Sequence, residues 1–174
     1  MKNFYKKHQF YLLPICLILA LSFSRLIPHP SNFTPIIATG IFAGFYFKQF
    51  YLSLCIVIFS MFIGDLFLGF HSTMFFTYVS LSVAVAIGFF IKHLKFNKIL
   101  YSSLSSSIIF YVITNFGVWF SATIYEKSLA GLMQSYVMAI PFFHNTLIST
   151  FIYLIVFKLV FDISIKKKII KNFT

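Results

Sequence analysis

Twelve of the fourteen Lys and Arg residues fall on one side of a single arrangement, six apolar stretches in series with both chain ends together. Lys2, Lys6 and Lys7 precede the first stretch, and Lys48 separates the second from the third. Lys92, Lys95 and Lys98 separate the fourth from the fifth. Lys158, Lys166, Lys167, Lys168 and Lys171 gather at the C-terminal end. Only Arg25 and Lys127 stay on the opposite side. Membrane spans collect Lys and Arg on their cytoplasmic flanks. An odd number of spans would put the two basic ends on opposite sides and break the bias. The pattern therefore predicts a multi-pass protein of the bacterial cytoplasmic (inner) membrane with both termini cytoplasmic.

The +11 formal charge is then a matter of topology, since 60% hydrophobic residues mark a membrane class and argue against a nucleic-acid partner. A hydrocarbon core of ~30 Å needs about 20 apolar residues per helix. The stretches run over about 10–26, 34–47, 51–70, 74–91, 99–124 and 136–161, and they predict one all-α transmembrane domain filling residues 1–174. The prolines of Ile27-Pro28-His29-Pro30 exclude a helix between the first two stretches. No glycine-rich phosphate loop is present, so any ATP-driven step would come from a partner. The first stretch lacks a small-x-small cleavage site and is expected to stay as a span. Cys16 and Cys55 have neither pairing nor metal spacing. No internal repeat marks an inverted-repeat transporter.

Small residues recur at four-residue spacing: Cys16, Ala20 and Ser24, then Gly40 and Gly44, Ala84 and Gly88, and Ser103 and Ser107. In lipid such stripes let helix backbones approach closely. They serve packing inside the bundle or docking of another membrane subunit, and Cys16, Ala20 and Ser24 are the candidate docking face.

Polar side chains inside spans are costly and are functional candidates. Asp65 lies in the outer half of the third stretch, with His71 just beyond it. Asn115 and Trp119 lie toward the outer half of the fifth, and His144 and Asn145 toward that of the sixth. Arg25, His29 and Asn32 occupy the outer connection between the first two. Five segments thus place polar groups at one depth, as an outward-opening substrate cavity requires. Each has a plainer reading. Asp65 could pair with Arg25, His29 and His71 could be interfacial, His144 and Asn145 could join helices, and Trp119 could be a headgroup-level anchor. No HExxH or CxxC spacing suggests a metal site, no GxSxG or Ser-His-acid order suggests an enzyme, and no cofactor is expected.

The segment Arg25-Leu26-Ile27-Pro28-His29-Pro30-Ser31-Asn32-Phe33-Thr34-Pro35-Ile36 resembles the opening signature of a bacterial family of small six-span membrane proteins. Gly64-Asp65-Leu66, Gly69-Phe70-His71, Thr114-Asn115-Phe116-Gly117-Val118-Trp119 and Ala139-Ile140-Pro141-Phe142-Phe143-His144-Asn145-Thr146-Leu147 resemble its later motifs. Size, six spans and the ladder on the first stretch are similar to S-components of energy-coupling-factor vitamin transporters. That resemblance implies a substrate cavity closed by the loops after spans one and three, and a small-residue face, here Ala20 and Ser24, meeting a transmembrane coupling subunit with its ATPases. The solitary cobalamin-uptake type is closest, but it uses an outer-loop thiol on cobalt. Here His71 would have to supply an imidazole.

The expected function is capture of a small vitamin-like solute, cobalamin or a related compound among the candidates, and its movement inward. A structural or assembly role in the membrane is the alternative, and a membrane-embedded enzyme a further one. Reporter fusions at Lys171 and within residues 125–135 are expected to report opposite sides of the membrane. The same side for both would refute the six-span topology.

Overall fold

The computed structural model describes residue 16 and residues 19–166; Lys2, Lys6, Lys7, Pro14, Lys167, Lys168 and Lys171 lie outside the described residues. The fold is all-α, and the described residues contain no strand. Residue 16 and residues 19–24 are helical and form the described part of α1. They are followed by α2 (Ile36–Phe47), α3 (Phe50–Leu68), α4 (Met74–Phe90), α5 (Phe96–Ser121) and α6 (Leu129–Lys166).

The centre of the bundle is α2. Its twelve residues are apolar on every face apart from Thr39, and all but Phe42 are buried. A helix that is hydrophobic all round has to be enclosed. Pro35 occupies its N-cap position without a side-chain hydrogen bond, and Lys48 ends it in a left-handed conformation (φ 51°). At 1.5 Å per residue, α2 is roughly 18 Å long, well short of a bilayer core.

Glycines fix how α2 meets α4. A Cβ on Gly88 would collide with the carbonyl of Ile41, and one on Gly44 would stand 2.7 Å from the amide of Phe89. Backbone therefore lies on backbone. Lys48 completes the joint by donating from Nζ to the carbonyl oxygens of Ile91 and, at 3.4 Å, Phe89, at the end of α4. An ammonium there satisfies carbonyls that have no helical partner. Around this joint Phe161 of α6 meets Phe42, Phe45 and Tyr46 edge-on, with ring centroids 5.8, 6.0 and 5.4 Å apart.

The interior is lined with hydroxyls. Among the described residues, fourteen of the fifteen buried polar ones are Ser or Thr, and the fifteenth is Asp65. Large apolar side chains face outward instead, among them Phe59, Phe67, Phe90, Phe120, Ile124 and Val160. Water does not tolerate so continuous an apolar exterior. The chain is therefore a membrane protein. Among the described residues three helical segments, Phe50–Leu68, Phe96–Ser121 and Leu129–Ile163, are long and apolar enough to cross, rather than the six expected. The second and fourth stretches form helices of 12 and 17 residues, and the first is only partly described.

Several boundaries differ from the sequence expectation: the fifth helix runs over Phe96–Ser121 rather than about 99–124, and the last continues to Lys166 rather than about 161. The third helix stops at Leu68 because Gly69 adopts φ 95°, which favours glycine. The last helix begins at Leu129, not near 136. Ser128 Oγ accepts the Gly131 amide at 3.2 Å and so caps its first turn.

Gly88→Ala is expected to destabilise the bundle by about 1–3 kcal/mol, the usual cost of overpacking. A Cβ at Gly40 would meet Ala84 Cβ at 3.4 Å and the Leu81 carbonyl oxygen and Val85 Cγ2 at 3.6 Å, so Gly40→Ala is expected to cost far less. Thermal unfolding in detergent micelles checks the order.

Candidate functional site

The loops 25–35, 69–73 and 122–128 gather at one end of the bundle, where a cavity of about 360 Å³ opens between α4, α5 and α6. Its mouth is formed by Ser31, Asn32, Thr73 and Tyr125. Its helical wall carries Thr77, Tyr111, Thr114, Asn115, Ser135 and Thr146. Phe110, Phe142 and Phe143 supply aromatic surface. Among the described residues no charged side chain lines it.

The helical positions follow from residue size. Phe76 of α4 packs onto Gly117 of α5, where any Cβ would collide with its ring, and its centroid lies 5.8 Å from Phe116 and 6.0 Å from Phe120. On the other flank Gly131, Ser135 and Ala139 form a buried four-residue ladder on α6. Tyr111 of α5 donates from its hydroxyl to the Tyr136 carbonyl at 2.6 Å, and Tyr136 donates to the Val112 carbonyl at 3.0 Å. The reciprocal pair holds α5 against α6.

The loop between α1 and α2 is strapped over this end. Asn145 Nδ2 donates to the Ser31 carbonyl at 2.9 Å, and Ser149 Oγ reaches the Asn32 carbonyl at 3.4 Å. Asn32 itself has φ 61°, a conformation that Asn tolerates better than most residues.

The nine candidate binding residues divide into three groups. Asn32 and Asn115 line the cavity, and Asn145 fastens the loop that borders it. Arg25 and Asp65 form a separate cluster. Arg25 Nη1 lies 2.7 Å from Asp65 Oδ1 and donates to the Met61 carbonyl at 3.0 Å. Tyr78 donates to the other carboxylate oxygen at 2.7 Å, and Asp65 is wholly buried. Gly64 makes room for the guanidinium, since a Cβ there would stand 2.5 Å from Nη1. The remaining four serve elsewhere. His29 contacts the Pro30 carbonyl at 3.0 Å, and His71 contacts Thr73 Oγ1 at 2.8 Å; both are exposed. His144 is exposed beside the Phe143 ring. Trp119 donates from Nε1 to the Glu126 carbonyl at 3.0 Å. Of Asp65, His71, Asn115, Trp119 and Asn145, expected to line one pocket, Asn115 alone lines this cavity. A shared depth along helices does not give a shared azimuth.

The hydroxyl residues that make up most of the polar wall are not among the candidates the sequence offers. Their signal was Ser and Thr at helical spacing inside apolar spans, which reads equally as packing. The candidate docking face keeps Cys16 and Ala20 exposed, while Ser24 is half-buried and donates to the Leu21 carbonyl at 2.7 Å. Gly40, Gly44, Ala84 and Gly88 pack internally between α2 and α4.

The fold and the cavity bring together the blocks Arg25–Ile36, Thr114–Trp119 and Ala139–Leu147, and they define a helical membrane protein with a solute-sized cavity at one end. The chain belongs to the family of unknown function DUF6580, whose profile matches residues 5–171. No curated protein and no solved structure matches the chain.

Asp65→Ala leaves Arg25 without its partner in a largely buried place. The expected loss is about 3–5 kcal/mol of stability. The double variant Arg25→Met with Asp65→Leu is expected to recover part of it. Denaturant titration of the purified protein measures both.

Proposed function

We propose that the chain is a multi-pass membrane transport protein resembling an S-component, which takes up a small solute in the cavity between α4, α5 and α6. The observation that carries this reading is a cavity of solute size, built from neutral polar and aromatic side chains and bordered by a strapped loop. Pockets of roughly 300–1,000 Å³ enclose drug-sized ligands. At about 360 Å³ the cavity lies near the lower limit, which favours a solute much smaller than cobalamin. His71, the imidazole that cobalt ligation would need, does not line it.

The charge bias supports a six-span topology in the bacterial inner membrane with the cavity opening outward. Under that topology the shorter α2 is enclosed by its neighbours, and α4, one turn below the usual length, is accommodated by local thinning of the bilayer. The exposed Cys16 and Ala20 support docking of a transmembrane coupling subunit on α1. The alternative of a structural or assembly protein draws on the Arg25–Asp65 pair, whose groups are occupied with one another.

Thermal unfolding of the purified protein against a panel of vitamin-sized solutes tests the proposal. A bound solute at 100 times its dissociation constant stabilises by about 2.7 kcal/mol. Thr114→Leu, which fills the cavity, is expected to abolish that shift and the corresponding uptake into cells. A panel without effect, with uptake unchanged in the variant, would favour the structural role.

A further inference from the structure

Each hydroxyl brings one proton and two lone pairs to hydrogen bonding. On the helical wall of the cavity those protons are already committed. Thr114 Oγ1 donates to the Phe110 carbonyl at 2.7 Å, and Thr146 Oγ1 to the Phe142 carbonyl at 2.9 Å. Thr77 donates to the Thr73 carbonyl at 3.2 Å, and Ser135 to the Leu132 carbonyl at 2.7 Å. Tyr111 donates to the Tyr136 carbonyl at 2.6 Å. A carbonyl can only accept, so the direction of each bond is fixed. Asn115 spends an amide N–H on the Tyr111 carbonyl at 2.8 Å. What these six residues retain toward a ligand is chiefly oxygen lone pairs. The wall looks polar, but it accepts far more than it donates.

We propose, on the reading that this cavity binds the transported solute, that the solute presents nitrogen donors to the helical wall: an amine, amidine or other N–H-rich head on a flat or apolar body. Phe110, Phe142 and Phe143 favour the same class, because ring faces attract a cationic or electron-poor nitrogen group. A carboxylate or phosphate head brings only acceptors. It would face a wall of oxygens with no cation among the described lining residues to offset it. At the mouth, Ser31, Asn32 and Tyr125 form none of these bonds to backbone carbonyls and can adapt to the rest of the solute.

The test compares probes of similar size and opposite hydrogen-bonding sense, added at millimolar concentration to the full-length protein in detergent. Benzamidine and benzylamine are the donors; benzoate and phenyl phosphate are the acceptors. The donors are expected to raise the unfolding temperature and the acceptors to leave it unchanged. Thr114→Val and Thr146→Val, which remove acceptor oxygens at little change in shape, are expected to weaken donor binding several-fold. Thr39→Val is the control: its hydroxyl bonds to the Pro35 carbonyl at 3.0 Å but lies outside the cavity, and donor binding should be unchanged. Each variant's unfolding temperature without probe shows whether it is folded. Stabilisation by benzoate or phenyl phosphate as large as that by the donors would overturn the assigned class while leaving the cavity a solute site. No shift with either set would overturn both.

Discussion

The approach of α2 to α4 at backbone distance is the contact on which the rest of the bundle depends. In lipid no hydrophobic force drives helices together, so association rests on close packing and polar contacts. Gly44 and Gly88 remove the side chains that would hold the two backbones apart. With α2 against α4, its other faces are free to be covered by α3, α5 and α6. Lys48 then locks the end of the joint by capping α4 across the interface. A residue expected only as a topogenic charge thus also terminates a neighbouring helix.

The same division of labour explains the two cations that depart from the charge bias. Arg25 lies against Gly64 and neutralises the buried Asp65. Lys127 donates to the carbonyl oxygens of Trp119, Phe120 (3.0 Å) and Ala122 (2.8 Å), closing the end of α5. Its ammonium also stands 5.7 Å from the Trp119 ring centroid. Both cations are held by local partners of opposite charge or dipole.

Hydroxyl residues serve this interior in two ways. Their small volume lets helices pack closely, and by donating to carbonyls of their own helix most of them enter a low-dielectric interior without an unsatisfied proton. Among the described residues Ser103, Ser106 and Ser107 are the exceptions, buried on α5 without a hydrogen-bond partner. Where the helices part to leave the cavity, the same self-satisfied hydroxyls become its lining. A packing device in one layer therefore sets the chemistry of the next.

Much of the fold was legible in the chain itself. Apolar runs separated by prolines, glycine and lysines gave the helices and most of their ends, because helix formation and exclusion from water are local properties of composition and spacing. The close-packing stripes at Gly40 and Gly44 and at Ala84 and Gly88 were legible too, though not which stripe met which. The Arg25–Asp65 pair could be weighed from sequence as one possibility, since few ionic partners exist. The azimuth of each helix could not be. Asp65 and Asn115 share a depth, yet one faces an ion pair and the other a cavity. Rotation about a helix axis is decided by packing against several neighbours at once, and no local pattern records that sum. For the same reason the serines and threonines gave no sign of which would line a cavity and which would only fill a contact. Sequence determined that this chain is a membrane-bound helical protein with polar groups gathered toward one end; tertiary packing alone decided which of those groups meet.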